Sequence, residues 1–529
     1  MFLPRLRIFK KGFQTQLSIV IATQIAFILF GYDQGVFSGL VNNPDWRQTF
    51  GNPSSGLEGI IVSIYNLGAF SGCILTFFIG EKIGRRWCIF LAMIIIVVGA
   101  LLQATSYSVA QIMVARYITG IGSGLDTSTV PMYQAENCDA RVRGRLLSLE
   151  PFGVGIGIVI SYFFDYGMSF VGGQVSWRVP IACQAFFAFV CMFLVLTIPE
   201  SARWLMAHGR VDEATQTLCE LYDAPEDDPR IHRQKRDVLD VLKLEEKQGQ
   251  YNWSQLFKKD NIKTRRRVML AYGIQVMNQL GGINFVVYYV PSALQFNVGV
   301  DANLALLIGG FVNLMFPIGS LIPSIFLDRL GRRKPMMWGS AGLAVCMLMI
   351  SVLLSIKGKG PSSASIAFFF LYMLIFGASA NCVPWVYVPE ILPLRARAKG
   401  SAIGISANWL WARYVLDDVG PPLTVVQNFV VVMITPTMIN SLDWKAYLVW
   451  MCTNAAFIPI IYYFYPETAN LTLEEVDSLF VKPSGRRGMA ALTSPTQPVI
   501  ESLNRSFHGI DSEKDEERST GAEHNELKE

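Results

Sequence analysis

Charge is what this chain of 529 residues has least of. Asp, Glu, Lys and Arg make up 16% of it, against about 25% in soluble proteins. Hydrophobic residues take 52% and mean hydropathy is +0.36, so most of the surface must face lipid. The excess of base is only +4 and is placed in short segments, which argues against nucleic acid as a partner. Histidine is nearly absent. The four (His208, His232, His508, His524) fall in polar segments, and no nucleophile–base constellation or nucleotide-cradling loop accompanies them, so an enzyme is not expected. The nine cysteines are mostly scattered through apolar runs without metal-ligand spacing and read as free thiols. Neither a metal nor a cofactor is implied. No small-residue cleavage site follows the first apolar run, so it counts as a membrane span.

What the chain does have is apolar windows of about 20 residues, enough to cross roughly 30 Å of hydrocarbon. They lie near 16–38, 57–80, 87–106, 109–131, 145–166 and 179–199, then 267–291, 303–327, 336–356, 364–389, 398–436 (interrupted) and 444–465. The fold class expected is an all-α membrane protein with twelve transmembrane helices in two pseudo-symmetric six-helix bundles, 16–199 and 267–465. Lys and Arg gather at the amino end (Arg5, Arg7, Lys10, Lys11), in the even-to-odd loops and in the central segment. The positive-inside rule then makes residues 1–15, the central loop 200–266 and the tail 466–529 cytoplasmic. The central loop reads as short amphipathic helices. The tail after about Lys482, rich in Ser, Pro, Gly and charge, reads as largely disordered.

The halves repeat each other. Gly84-Arg85-Arg86 returns as Gly331-Arg332-Arg333, Glu136 as Glu390, and Pro199-Glu200 as Pro466-Glu467, at offsets of 247 (Gly84 to Gly331), 254 (Glu136 to Glu390) and 267 (Pro199 to Pro466). Two similar halves can hold one site between them and expose it to each side in turn by rocking. Glycine permits a tight turn, and the arginines stay in water where Glu136, Glu200, Glu390 and Glu467 can pair with them. Arg85, Arg86, Arg332 and Arg333 with these four carboxylates are the expected conformational latch, holding the inner faces of each half together and breaking when the halves rock; the simpler reading is that the arginines only enforce topology.

Polar groups inside spans are costly and therefore functional candidates. Asp33 follows about sixteen residues of apolar helix, and Arg116, in mid-span, is its natural counter-ion. A carboxylate that exchanges an arginine for a proton is the minimal proton-coupling device; the alternative is a static ion pair. Glu150 joins them as an acid within a span, with Asp126 nearby in the same half. In the second half Gln275, Asn278, Gln279 and Asn284 form a carboxamide run followed by Tyr288, and Asn313, Trp385 and Asn408 add polar and aromatic groups. Spacing does not put all the amides on one helical face. Carboxamides donate and accept at once, and indoles stack on C–H-rich surfaces, which suits a neutral polyhydroxylated ligand. The alternative is interhelical glue.

At these residues the chain resembles the sugar porter family of the major facilitator superfamily over nearly all of 16–480, in the style of fungal monosaccharide and polyol carriers. The matching phrases are Gly31-Tyr32-Asp33, both Gly-Arg-Arg loops, Pro199-Glu200-Ser201, Gln279-Leu280-Gly281-Gly282-Ile283-Asn284, Pro389-Glu390 and Pro466-Glu467-Thr468. The resemblance implies that Gln279, Asn284, Asn313, Trp385 and Asn408 touch sugar, with Asn278 and Tyr288 beside them, and that Asp33 and Arg116 couple a proton. It implies alternating access at the plasma membrane by a monomer. The partners are a small sugar or polyol and the bilayer, with the proton as coupling ion. An uncoupled uniporter or a non-transporting sugar sensor of the same fold remains the alternative. The departures are Asn278 for the family's first paired glutamine, Glu81 for an aspartate, Pro151 with Glu150 at the fifth-span glutamine, Ala202 for a proline, and Asn381-Cys382 for Gly-Pro.

One stretch does not fit. Ala412 to Gln427 carries Arg413, Asp417, Asp418, Pro421 and Pro422, which cannot face lipid cheaply. Without it, Trp411 joins Asn428 as one apolar span. It reads as an insertion, of the kind a retained intron would supply.

Overall fold

The computed structural model describes residues 5–6, 8–138, 146–147, 149–247, 256, 260, 263–356, 358–393, 396–407, 427–469, 471, 476 and 479–480. The described residues form helices and no strand. The first half holds α1 (Phe13–Leu40), a short α2 (Pro44–Thr49), α3 (Ser55–Ile83), α4 (Arg85–Ala104), α5 (Val109–Asn137), α6 (Glu150–Met168) and α7 (Val175–Thr197). Three polar-segment helices follow, α8 (Ala202–Ala207), α9 (Val211–Tyr222) and α10 (Pro229–Lys247). The second half holds α11 (Thr264–Leu280), α12 (Ile283–Ala293), α13 (Ala302–Leu330), α14 (Arg333–Ser355), α15 (Lys359–Phe376), α16 (Cys382–Ile391), α17 (Arg397–Ser406), α18 (Gln427–Leu442) and α19 (Ala446–Phe464). Among the described residues nine helical stretches are long and apolar enough to cross a membrane. Residues 412–426, most of the suspected insertion, lie outside the described residues, between α17 and α18.

Helix starts follow local chemistry. Asn43, with Pro44 after it, accepts from the amides of Asp45 and Trp46; Ser54 and Ser108 cap α3 and α5 in the same way. Turns between spans rest on glycine: Gly84 and Gly331 have φ of 91° and 79°, a region that residues with a Cβ rarely enter. Within lipid, small residues rather than hydrophobic expulsion bring helices together. A Cβ on Gly120 would stand 2.2 Å from the Tyr65 carbonyl oxygen, and one on Gly124 1.9 Å from that of Ala69. The phrase Gly120-Ile121-Gly122-Ser123-Gly124 therefore seats α5 on α3.

The halves meet through α1 with α12, α6 with α13 and α3 with α18. Hydrogen bonds between them run from Asn42 Nδ2 to Ser292 Oγ (2.9 Å), Asn440 Nδ2 to Ser55 Oγ (2.8 Å) and Tyr162 Oη to the Val287 carbonyl (2.5 Å). All three lie toward the end of the molecule away from the Gly-Arg-Arg turns.

Candidate functional site

The close seating of α5 on α3 carries Arg116 to the face of α1. Its Nη1 stands 3.5 Å from Asp33 Oδ1, and the two side chains are 0% and 1% exposed. Nη2 donates to the Val62 carbonyl at 2.9 Å. The guanidinium lies 3.8 Å from the centroid of Phe37 and 4.8 Å from that of Tyr65, so aromatic faces cover it where water would otherwise be. Ser123 Oγ is 3.5 Å from Asp33 Oδ2. A buried pair held at this separation contributes little net stability. Tyr288, from the other half, stands within electrostatic reach of both Asp33 and Arg116. Ion pair and second-half wall thus share one region.

That wall is built on a broken helix. Between α11 and α12 the chain turns at Gly281-Gly282, and Gly282 has φ 99° with Trp450 3.1 Å from where a Cβ would sit. A break in a span releases carbonyls that must find donors. Tyr372 Oη and Asn454 Nδ2 donate to Gly281 O at 2.9 and 2.8 Å, and Thr453 Oγ1 donates to Leu280 O at 2.9 Å. Asn284 Nδ2 then reaches back to Gln279 Oε1 at 2.7 Å. On one continuous helix, five residues would separate these two by about 140°; the break brings them into contact. Asn278 and Tyr288 are buried. Asn313 is fully buried, with Nδ2 spent on the Gly309 carbonyl of its own helix and Oδ1 unpartnered. Trp385 is half-buried on α16, just past a π-helical turn at Gly377–Asn381. Asn408 lies outside the described residues.

Glu150 opens α6 and is buried, as is Asp126 on α5; the charge within its reach is Asp126. The structure therefore places Glu150 with Asp126 rather than with the Asp33–Arg116 pair.

The arginine phrases build the same device twice. In the first half Arg85 grips Glu136 with two bonds, Nε to Oε2 at 3.2 Å and Nη2 to Oε1 at 3.1 Å, and Ser201 Oγ donates to the same carboxylate at 2.5 Å. In the second, Arg332 grips Glu390 at 3.1 and 2.8 Å and Thr468 Oγ1 donates to it at 2.8 Å. Glu200 accepts the amides of Arg85 (3.1 Å) and Arg86 (3.3 Å) at the start of α4, and Glu467 accepts those of Arg332 (2.8 Å) and Arg333 (3.0 Å) at the start of α14. A carboxylate there meets free N–H groups and the positive end of the helix dipole. Glycine is needed for this approach: a Cβ on Gly84 would lie 2.7 Å from Glu200 Oε2, and one on Gly331 2.6 Å from Glu467 Oε2. Arg86 donates to the Val195 carbonyl at the end of α7 (Nε 3.2 Å), and Arg333 to that of Tyr462 at the end of α19. Tyr133 and Tyr387 complete the match, donating to the carbonyls of Pro199 (2.6 Å) and Pro466 (2.9 Å). The partners named here for each cluster come from its own half. Burial pushes the Glu200 carboxyl above its ordinary range, against the Ser201 and Arg86 amides and the two guanidinium charges, which pull it down.

A cavity of about 330 Å³ lies at this end, lined among others by Arg5, Arg86, Trp87, Glu200, Trp204 and Glu220. A small one of about 50 Å³ lies at the opposite end, beside Asn42, Glu58, Tyr289, Ser292 and Asn440. Sequence reasoning missed the aromatic cover of Arg116 and the donors Tyr372, Thr453 and Asn454. A lone amide in the last span was the only signal for the latter.

Two matched helical bundles, a buried ion pair and an amide-lined broken helix define a membrane carrier of the major facilitator class. The proton:xylose symporter XylE from E. coli, solved with 6-bromo-6-deoxy-D-glucose, superposes with a TM-score of 0.73 at 25% identity, over 88% of this chain and 99% of its own. The chain belongs to the sugar transporter family: the model described as "Sugar (and other) transporter" matches residues 18–417 and 418–480. Among its relatives, the MFS-type transporter oryC of Aspergillus oryzae is 39% identical over 472 residues, 87% of this chain and 85% of that one. Sugar transporter STL1 of Saccharomyces cerevisiae is 31% identical over 477 residues, 88% and 81% of the two chains.

Proposed function

We propose that this protein carries a monosaccharide or polyol across the plasma membrane by alternating access, in symport with a proton. The observation that carries the reading is the buried Asp33–Arg116 pair with Tyr288 of the opposite half in reach. Proton binding to Asp33 frees Arg116, and substrate on Gln279, Asn284 and the neighbouring amides draws the halves together around it. A neutral polyol suits amides that both donate and accept. STL1 is named a sugar transporter and XylE a proton:xylose symporter, which supports the same chemistry here. The hydrogen bonds joining the halves sit away from the arginine clusters, so with those clusters in the cytoplasm the structure is closed outward. Both termini are then cytoplasmic, and the working unit is a monomer. Glu136, Glu200, Glu390 and Glu467 with their arginines latch the inner faces of each half together and part when the halves rock.

The test is uptake into proteoliposomes of radiolabelled hexoses, pentoses, disaccharides, polyols and sugar acids under an imposed pH gradient. Concentrative uptake of a neutral sugar or polyol, abolished by a protonophore, is expected. Equilibration without accumulation establishes uniport instead. Movement of no carbohydrate at all, with no rescue of a yeast lacking hexose carriers, leaves the sensor.

A further inference from the structure

The arginine cluster of the first half is tied to the chain ahead of α1. Leu6 N donates to the Leu196 carbonyl at 2.9 Å and Arg5 Nε to that of Thr197 at 3.4 Å. Arg86 donates to the same Leu196 carbonyl at 3.4 Å. Arg5 also pairs with Glu220 of α9, and Gly12 N donates to the Glu220 carbonyl at 2.8 Å, with Gln16 Nε2 on that of Leu221 at 2.8 Å. Residues 5–6 and 8–12 are thus a strap lashed to the end of α7 and to α9. The strap and the arginine cluster meet on one carbonyl, that of Leu196.

The other side of this strap is unlike a surface meant for water. Ile8 and Phe9 are exposed, and Phe13 is 76% exposed. Phe13, Leu17 and Ile21 are spaced by four on α1 and all are exposed, so they form one stripe that runs from the strap into the lipid-facing side of the span. Lys10 and Lys11 are exposed between the strap's apolar residues and that stripe. Apolar side chains level with the start of a span, with cations set among them, are the composition of a segment lying in a bilayer interface. Two lysines placed there add attraction to an anionic surface.

We propose that residues 5–6 and 8–12 form an interfacial strap that binds the anionic headgroups of the leaflet at the arginine-cluster end and passes the leaflet's charge to the end of α7. The orientation in the cell rests on the topology given above; the binding itself does not. Leaflet charge holds the strap down, the strap holds the Leu196 and Thr197 carbonyls, and the first-half cluster is fixed more firmly in an anionic membrane than in a neutral one.

The experiment is hydrogen exchange of the purified full chain in nanodiscs of phosphatidylcholine, with and without phosphatidylserine. It needs no transport substrate, so its result is independent of the carrier assignment. Exchange at Leu6 and Gly12 is expected to slow in the anionic discs, by about five-fold per engaged lysine, and the effect to vanish at high salt. The double variant Lys10→Glu/Lys11→Glu keeps the phosphatidylcholine rate and loses the response. The same exchange in both lipids, or a response that survives in the double variant, overturns the binding. A strap that responds while peptides covering 195–197 do not overturns the link to α7.

Discussion

The two halves of this molecule agree at one end and differ in the middle. At the turn end they match bond for bond: Arg85 on Glu136 and Arg332 on Glu390, Glu200 and Glu467 on paired amides, Arg86 and Arg333 on helix-end carbonyls. In the interior the first half buries Asp33 against the mid-span Arg116 and, apart from that pair, Asp126, Glu150 and Asp165. Among the described residues the spans of the second half bury no Asp or Glu, and offer Gln275, Asn278, Asn284, Asn313, Asn381 and Asn454. Charge that can change with a proton sits in one half. Groups that donate and accept without changing charge sit in both, the first half burying Asn66, Gln103, Gln134, Asn137 and Gln184 as well. Duplication has kept the turn-end clusters, while the interiors have diverged in where they carry buried carboxylates.

Asp33→Asn gives the largest effect expected of this division. A neutral amide cannot exchange Arg116 for a proton, so proton-coupled accumulation, about tenfold per unit of pH gradient at one proton per substrate, should fall to simple equilibration. Counterflow without a gradient should persist. Counterflow lost together with accumulation would mean that Asp33 holds substrate or structure, and the separation of roles would fail.

Arg85→Ala and Arg332→Ala test the agreement. Each strands a largely buried carboxylate, and with partial solvent screening each should lower stability by about 2 kcal/mol, read as equal drops in melting temperature of the purified protein. Lysine in either place should recover only part, because it keeps the charge and loses the bidentate grip. Unequal drops would break the structural equivalence.

Within the second half, recognition and scaffolding should separate. Asn284→Ala removes a side chain expected to meet substrate and should raise KM about tenfold, the worth of a hydrogen bond of about 1.4 kcal/mol, with little change in melting temperature. Tyr372→Phe orphans part of the Gly281 carbonyl's bonding and should cost about 1 kcal/mol of stability while leaving KM nearly alone.

The sequence was most informative where physics is local. Long apolar windows became helices because twenty apolar residues in lipid have few other options, and the windows 16–38, 87–106 and 444–465 fall on α1, α4 and α19. The arginine phrases announced their glycine turns and the carboxylate partners of Arg85 and Arg332. They did not reveal the division of labour, in which Glu200 and Glu467 serve backbone amides while Arg86 and Arg333 serve carbonyls, because that depends on where α4 and α14 begin and where α7 and α19 end. Gln279 and Asn284 looked mismatched under a single helical period; their contact exists only once Gly281-Gly282 breaks the helix, and the break stands only with Tyr372, Thr453 and Asn454 from distant spans.

The smallest expected effect concerns pH at the first-half cluster. Burial raises the Glu200 carboxyl above its ordinary value of 4.5. A carboxyl raised on folding binds its proton more tightly in the native state than in the unfolded one. Its contribution to stability is therefore full below pH 4.5 and is lost as pH rises through the native value. Glu200→Gln removes that titration. Below pH 4.5 the two proteins should melt nearly together apart from a constant offset, and with rising pH the native protein should lose ground to the variant. If the gap instead widens in favour of the native protein, the charged carboxylate on the Arg85 and Arg86 amides outweighs its own desolvation. Glu200 would then act as an electrostatic cap that the cell's pH keeps switched on.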